Sequence, residues 1–244
     1  MTMLPSPRAI LATLCLAALA CLTAAPHAAT EESSNQAGRS PQLEGLLKQV
    51  MERGMANALG VPVSIREVEA GRNAERMTLR QLRIGNPSGF DGEHALTAES
   101  IVIEGALLGL LGDGPRLDLV HIDGLKVFAE TQLTRGVNLL KLRDNVREFS
   151  RRPAGRLLQQ RETRVYIEEG VISGGEAHIA TGVPGSEPRR QELERIEMSF
   201  TGPNGQGVAP EEAVAQLVRR ILRDIELVEP DSPLAPLNEL MDLL

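Results

Sequence analysis

Aromatic residues are almost missing: the 244 residues hold one Tyr, four Phe and no Trp. That scarcity excludes the nucleic-acid modules that stack bases on aromatic side chains. Cations are outnumbered as well, 26 Lys and Arg against 33 Asp and Glu for a net charge of −7. This is the wrong sign for a protein that binds a duplex by neutralising phosphates. Only two cysteines occur, Cys15 and Cys21, both in the N-terminal apolar stretch, so neither a zinc ribbon nor a disulfide framework is available beyond it. His94, His121 and His178 fall on different predicted elements, none with a second His, Cys or carboxylate at ligand spacing. No G-x-S-x-G, H-E-x-x-H or Gly-rich phosphate loop appears. Carboxylates such as Glu168-Glu169 and Glu211-Glu212 are spread along solvent faces. The absences together predict a non-enzymatic protein with no cofactor, no metal and no nucleic-acid partner.

What is present begins with an export signal. Met1 to Arg8 carries one positive charge and no acid, and Ala9 to Ala25 is an uninterrupted, weakly apolar run of 17 residues. A positive start, a short apolar run and small residues near a cleavage point are the features read by export machinery. The run is marginal for a membrane span, which needs about 20 strongly apolar residues. Two fates stay open besides an uncleaved anchor. Cleavage near Ala25 to Ala29 leaves a soluble periplasmic protein. Alternatively, Ala17-Ala18-Leu19-Ala20-Cys21 is similar to a bacterial lipobox, which makes Cys21 the candidate lipidation site. Residues 1–29 are accordingly assigned to the signal, and the polar stretch 30–40 to a flexible tether.

The domain proper is expected over 41–229, with a Pro-containing tail over 230–244. Ser40-Pro41 opens a helix whose Leu43, Leu46, Leu47, Val50, Gly54 and Ala58 share one face, ended by Gly60-Val61-Pro62. Val61, Val63 and Ile65 then alternate as in a strand. Met77 and Leu79, followed by Leu82 and Ile84, alternate with a one-residue phase slip, which predicts a bulge. Asn86-Pro87-Ser88-Gly89 is a turn. Ile101 and Ile103 alternate next. Leu117 and Leu119 give way to Val120 and Ile122 after another slip, and Asp123-Gly124 reads as a hairpin before Leu125, Val127 and Ala129. These five strands predict an antiparallel meander.

A helix over Asn138–Ser150, with Asn138 as cap and Leu139, Leu142, Val146 and Phe149 on one face, interrupts the strands. Val165 with Ile167, Ala177 with Ile179, and Ile196, Met198 and Phe200 mark three more strands. Pro210 opens a last helix, whose Val214, Leu217, Val218, Ile221, Leu222 and Ile225 form one apolar stripe. The chain is therefore read as α+β, with a curved, mainly antiparallel sheet of about eight short strands, flanking N- and C-terminal helices and one inserted helix.

The ordered series Leu59-Gly60-Val61-Pro62-Val63, Leu82 to Phe90 (LRIGNPSGF), Ile101 to Ile103, Leu119 to Gly124 (LVHIDG), Glu130, Asn138-Leu139-Leu140 and Gly207 to Ala213 (GVAPEEA) resembles the AsmA family of bacterial envelope proteins. The resemblance implies a curved sheet with an apolar concave face, set in or facing the periplasm. It implies a phospholipid or acyl chain as ligand, held for envelope maintenance. The runner-up is an envelope adaptor that contacts a protein partner through its sheet and basic segment. Ile101, Ile103, Leu117, Leu119, Val165 and Ile167 are the lipid-groove candidates, against ordinary core packing. Leu107 to Leu111 (LLGLL) is apolar nearly all round, as a membrane-touching lip or a buried turn. Residues 141–164 hold eight basic residues against three acidic ones. Within them Arg147, Arg151, Arg152 and Arg156 are the candidates for an anionic membrane surface, against a plain solvated face.

Overall fold

The computed structural model describes residues 41–71, 75–106, 116–132, 134–152, 164–181 and 187–225. The signal segment, the tether, Leu107 to Leu111, Arg156 and the C-terminal tail lie outside them. The described chain is mixed α+β: a ten-stranded sheet with three α-helices. In order these are α1 (Pro41–Leu59), β1 (Val63–Ala70), β2 (Arg76–Gly85), β3 (His94–Gly105), β4 (Arg116–Asp123), β5 (Lys126–Gln132), β6 (Gly136–Val137), α2 (Asn138–Arg151), β7 (Tyr166–Ser173), β8 (Gly175–Thr181), β9 (Arg189–Leu193), β10 (Ile196–Phe200) and α3 (Pro210–Asp224). β1, β2 and β3 form the expected antiparallel meander.

The predicted hairpin at Asp123-Gly124 does not form. β4 and β5 both run antiparallel to β3, with Ser100 opposite Asp123 and Thr97 opposite Lys126, so the chain goes straight on through Gly124. β7 and β8 continue through Gly174 in the same manner. They lie parallel to β4 and β5 in one unbroken register, Asp123 opposite Ser173 and Lys126 opposite Glu176. β9 and β10 repeat the arrangement antiparallel to β8 and β7. The sheet is thus six long strand paths side by side, mostly antiparallel, with two parallel ladders that alternation along the sequence does not disclose. β6 and β9 also escape the sequence pattern. β6 has two residues, and β9 (RRQEL) has a single apolar side chain on which to see alternation.

The paths share one discontinuity. Ile65 and Val68 in β1, Leu79 and Leu82 in β2, Ala98 and Ile101 in β3, Ile122 and Leu125 across β4 and β5, Ile172 and Gly175 across β7 and β8, and Leu193 and Ile196 across β9 and β10 are all buried. Each such pair is three apart where a regular strand has a spacing of two. The inward face therefore changes parity at one row across the sheet. Gln81 takes φ 51 there, and Gly124 and Gly174 take φ 62 and 60. A Cβ on Gly124 would lie 2.5 Å from Cγ of Glu99. Glycine is required at that position by both conformation and space. The phase slip between Leu79 and Leu82 is thus present, but not as the expected bulge: Arg80 stays opposite Ser100 and Leu82 opposite Ala98 with no residue inserted, and the slip is one part of a sheet-wide row.

The helices pack on one face over a single core. All six residues of the predicted stripe on α3 are buried in it, as are Leu139, Leu142 and Val146 of α2. On α1 the expected face is buried in part: Gly54 and Ala58 are buried and Leu47 packs on the core, whereas Leu46 is 57% exposed and Met51, Met55 and Leu59 are fully buried beside them. The apolar face is centred nearer Met51 and Met55 than the expected set, because Met is an equally good core residue. α1 also runs along the free edge of β1. Glu44, Lys48 and Glu52, four residues apart on one helix face, bind edge backbone groups. Glu44 Oε1 accepts from Ala70 N–H (3.4 Å), Lys48 Nζ donates to Arg66 C=O (3.3 Å) and Glu52 Oε1 accepts from Ile65 N–H (2.7 Å). Edge groups that would otherwise template another strand are covered in this way.

Candidate functional site

The lipid-groove candidates do not stand on an open wall. Ile101, Ile103, Leu117, Val165 and Ile167 are at most 1% exposed and belong to the core beneath the helices. Leu119 is only partly buried and lies outside that core. The period-2 pattern identified inward-facing residues, but the helices already occupy the space those residues face.

Among the described residues, the basic segment does not present one free cationic face either. Arg143 is buried and donates to Asp144 Oδ1 through Nε (3.1 Å) and Nη2 (3.0 Å). Arg152 donates to Glu148 (2.8 Å), whose carboxyl is held below its ordinary pKa by that bond and charge. Arg151 is exposed but engaged in an interaction of its own, and Arg147 is half-buried. Arg143 pairs with its neighbour Asp144, and Arg152, the C-cap of α2, reaches back four residues to Glu148, so both are joined to acids of that helix.

The three histidines stay apart, and among the described residues no three His, Cys, Asp or Glu side chains gather as a metal site. His94 Nε2 lies 3.5 Å from Glu93, and His178 Nε2 lies 3.2 Å from Glu176. His121 Nε2 lies 2.7 Å from Ser173 Oγ, whose hydroxyl donates to Asp123 Oδ1 at 3.0 Å. This brings Ser, His and Asp together in the wrong order for nucleophilic catalysis. The single hydroxyl proton goes to Asp123, so His121 serves as donor to Ser173 rather than as its base. The trio joins neighbouring strands beside the kink row.

A polar constellation lies at the other end of β5. Val127, Ala129 and Thr131 point into the core, so Phe128, Glu130 and Gln132 point to the opposite face. At Glu130 the neighbour of β5 changes. Leu96 and Thr97 of β3 pair with Val127 and Lys126, while Val137 and Gly136 of β6 pair with Thr131 and Gln132. The gap between them is filled by one side chain. Asn138 Oδ1 accepts from Glu130 N–H (3.0 Å), and its Nδ2 donates to Phe128 C=O (2.7 Å). The amide of Asn138 therefore stands in for the missing peptide group of a strand. It also accepts from Leu139 N–H (2.9 Å), but Asn138 is the first helical residue rather than the expected cap, a position taken by Val137.

Around this point the Asn86 turn closes. Asn86 Oδ1 accepts from Asn138 Nδ2 (2.8 Å) and its Nδ2 donates to Glu130 Oε2 (3.2 Å). The Glu130 carboxylate also accepts from Asp91 N–H (2.9 Å), Gly92 N–H (3.2 Å) and Gln132 Nε2 (2.8 Å). Burial works against the charge of Glu130, but these donors outweigh it and hold its pKa below the ordinary carboxylate value. Three residues within the family-like motifs, Asn86, Glu130 and Asn138, thus converge in one network. In the sequence they stand only as separate landmarks, because separations of 8 to 52 residues carry no periodic signal.

The network forms one wall of a cavity of about 600 Å³. Phe128 and His178, stacked with ring centres 4.8 Å apart, form another part, and Asp91, Thr134, Thr181 and Pro188 are among the other residues that line it. No helix among the described residues is long and apolar enough to cross a membrane. Compared with known proteins, the chain matches no family model and no curated protein.

Proposed function

We propose that this is a non-enzymatic protein of the bacterial envelope, exported to the periplasm, that works as an adaptor for another protein. The AsmA-like series of motifs and the export signal support the compartment. The filled inner face is the observation that favours an adaptor over a lipid carrier. Five of the six groove candidates are taken up by the core, while a cavity opens on the opposite face of β5. Binding energy for a partner then comes from the outer face and its rim rather than from an acyl-chain groove.

The test is to express the full chain in a bacterial host, fractionate the envelope and examine the purified protein by native mass spectrometry. The adaptor reading expects protein free of co-purified phospholipid. Stoichiometric phospholipid, lost on substituting Leu119 and retained by wild type, would overturn it in favour of the lipid reading. The Cys21→Ser variant, fractionated in the same way, decides the attachment. A shift from membrane to soluble fraction means that Cys21 carries the lipid.

A further inference from the structure

The cavity beside Glu130 has a definite charge. Four neutral groups hold the Glu130 carboxylate through the five hydrogen bonds that reach it: Asn86 and Gln132 side chains and the Asp91 and Gly92 backbone N–H groups. No Lys or Arg is among the described residues that line the cavity. Dipoles keep the carboxylate ionised but leave its net charge in place. Asp91, exposed on the rim, adds a second carboxylate. The Phe128 ring, backed by His178, supplies an aromatic surface in the same space.

We propose that this cavity binds an organic cation, an alkylammonium or guanidinium group carried on a methylene chain. The negative wall concentrates cations and repels anions. The Phe128 face attracts a cationic head electrostatically and offers the methylenes apolar contact. The volume falls within the range of about 300–1,000 Å³ found for small-molecule sites, and it is ample for a lysine- or arginine-sized group. Arg135 is the nearby competitor to consider. Its guanidinium occupies the space that a Cβ on Gly89 would need, outside the lining. The proposal deepens the adaptor reading by giving the chemistry of the partner group, and its test stands apart from that reading because it uses free amines.

The experiment is a titration of the exported protein at low salt, followed by NMR of the Phe128 and His178 rings. Pentylamine and agmatine are the probes. Pentanol and pentanoate are the neutral and anionic controls, and a blocked Gly-Lys-Gly tripeptide is a protein-like source of the same cation. The amines are expected to move the ring resonances and the controls to leave them in place. Asp91→Asn should weaken amine binding on the order of threefold to tenfold without lowering the melting temperature, since Asp91 contributes its backbone rather than its side chain to the Glu130 network. Arg135→Gln should tighten it. Lysine peptide binding at least as tight as pentylamine assigns the site to a protein partner, and tighter free amine assigns it to a small molecule; both support the cation chemistry. Equal binding of pentanol, an unchanged affinity in Asp91→Asn, or no ring shift at tens of millimolar amine would overturn the proposal. Such a failure in lipid-free protein would still leave the adaptor reading standing, whereas bound phospholipid would remove that reading and leave the amine result intact.

Discussion

Alternate side chains of β5 meet two different kinds of environment. Val127 and Ala129 enter a core where nearly every neighbour is aliphatic, and Glu130 enters a wall where both carboxylate oxygens are met by donors. The inner face is held by area removed from water, which is insensitive to direction. The outer wall is held by a few hydrogen bonds whose geometry must all be right at once. The inner face should therefore lose stability in proportion to what is buried. The wall should respond to single atoms, and its loss should be felt at the cavity more than across the fold.

The largest expected effect belongs to the inner face. Leu117→Asn removes an apolar side chain worth roughly 1.5–3 kcal/mol of burial. It also buries an amide without assured partners, at roughly 1–3 kcal/mol. The two together, about 2.5–6 kcal/mol, take a large share of the about 5–15 kcal/mol that holds a typical domain. Urea unfolding should show a collapse of the midpoint. A midpoint near wild type would mean that water already reaches Leu117, and the comparison between the faces would fail at its first step.

On the wall, the sharper change is Glu130→Gln. The shape is kept, but one oxygen becomes an NH₂ aimed at groups that are themselves donors. A loss of about 2–3 kcal/mol is expected, near the upper range for bonds to a charged group. Asn138→Ala should cost less, about 1–3 kcal/mol, by leaving Glu130 N–H and Phe128 C=O without their stand-in strand partner. If Glu130→Gln is neutral in urea unfolding, the wall is ornamental to the fold and the contrast with the core is merely one of composition.

The two faces also differ in how far the sequence discloses them. The stripe Val214, Leu217, Val218, Ile221, Leu222 and Ile225 was legible because helical period and burial coincide, and the structure buries all six. The phase slip between Leu79 and Leu82 was legible for the same reason. What could not be read was that all six strand paths slip at one row; the slip after Leu119 is separate from it, at the register shift opposite Glu104 and Gly105. Gly124 looked like a hairpin because Asp-Gly favours a reversal. The register of β4 and β5 against one strand, β3, comes from partners in other segments. The α1 face is legible at Leu47, Gly54 and Ala58 but not at Met51 and Met55, which fall beside the expected stripe and are fully buried. The candidate site was the least legible. Asn86, Glu130 and Asn138 were noted as landmarks, yet a hydrogen-bonded network has no period, and its members meet only after the sheet has formed.

A third, smaller test compares two glycines in the kink row that ties the faces together. Gly124 and Gly174 both have left-handed φ, 62 and 60. Alanine at either costs roughly 1–2 kcal/mol for that conformation. At Gly174 the added methyl finds Asp123 Oδ1 3.5 Å away, an ordinary contact, whereas at Gly124 it runs into the Glu99 side chain. Thermal unfolding should rank Gly124→Ala below Gly174→Ala, with both below wild type. Equal melting temperatures for the two variants would mean that Glu99 moves aside freely and that the row is set by backbone conformation alone.

The smallest effect expected is in pH dependence, where two carboxyls differ in sign. The donors around Glu130 overcome the opposing effect of burial and hold its folded pKa below the ordinary value of 4.5. The unfolded chain therefore binds the extra proton first. The contribution of Glu130 is complete above its unfolded pKa and is lost as pH falls through the lower, folded one. Asp224 at the end of α3 works the other way. Burial raises its carboxyl above 3.8, with Arg220 and Arg223 only partly offsetting this. The stability linked to its proton is present below the unfolded pKa and is lost as pH rises through the folded value. Urea midpoints measured from neutral pH into the acid range should then separate the two. The gap between wild type and Glu130→Gln should begin to narrow as pH falls below the ordinary value of 4.5 and close through the lower, folded pKa, where the wild-type carboxyl becomes neutral as well. Asp224→Asn should do best relative to wild type at neutral pH, where the native carboxylate is charged and partly desolvated, and that advantage should fade in acid. Parallel acid limbs for wild type and Glu130→Gln would show that the donors of Asn86, Asp91, Gly92 and Gln132 do not favour the charged form, and the outer wall would then be a packing surface like the inner one.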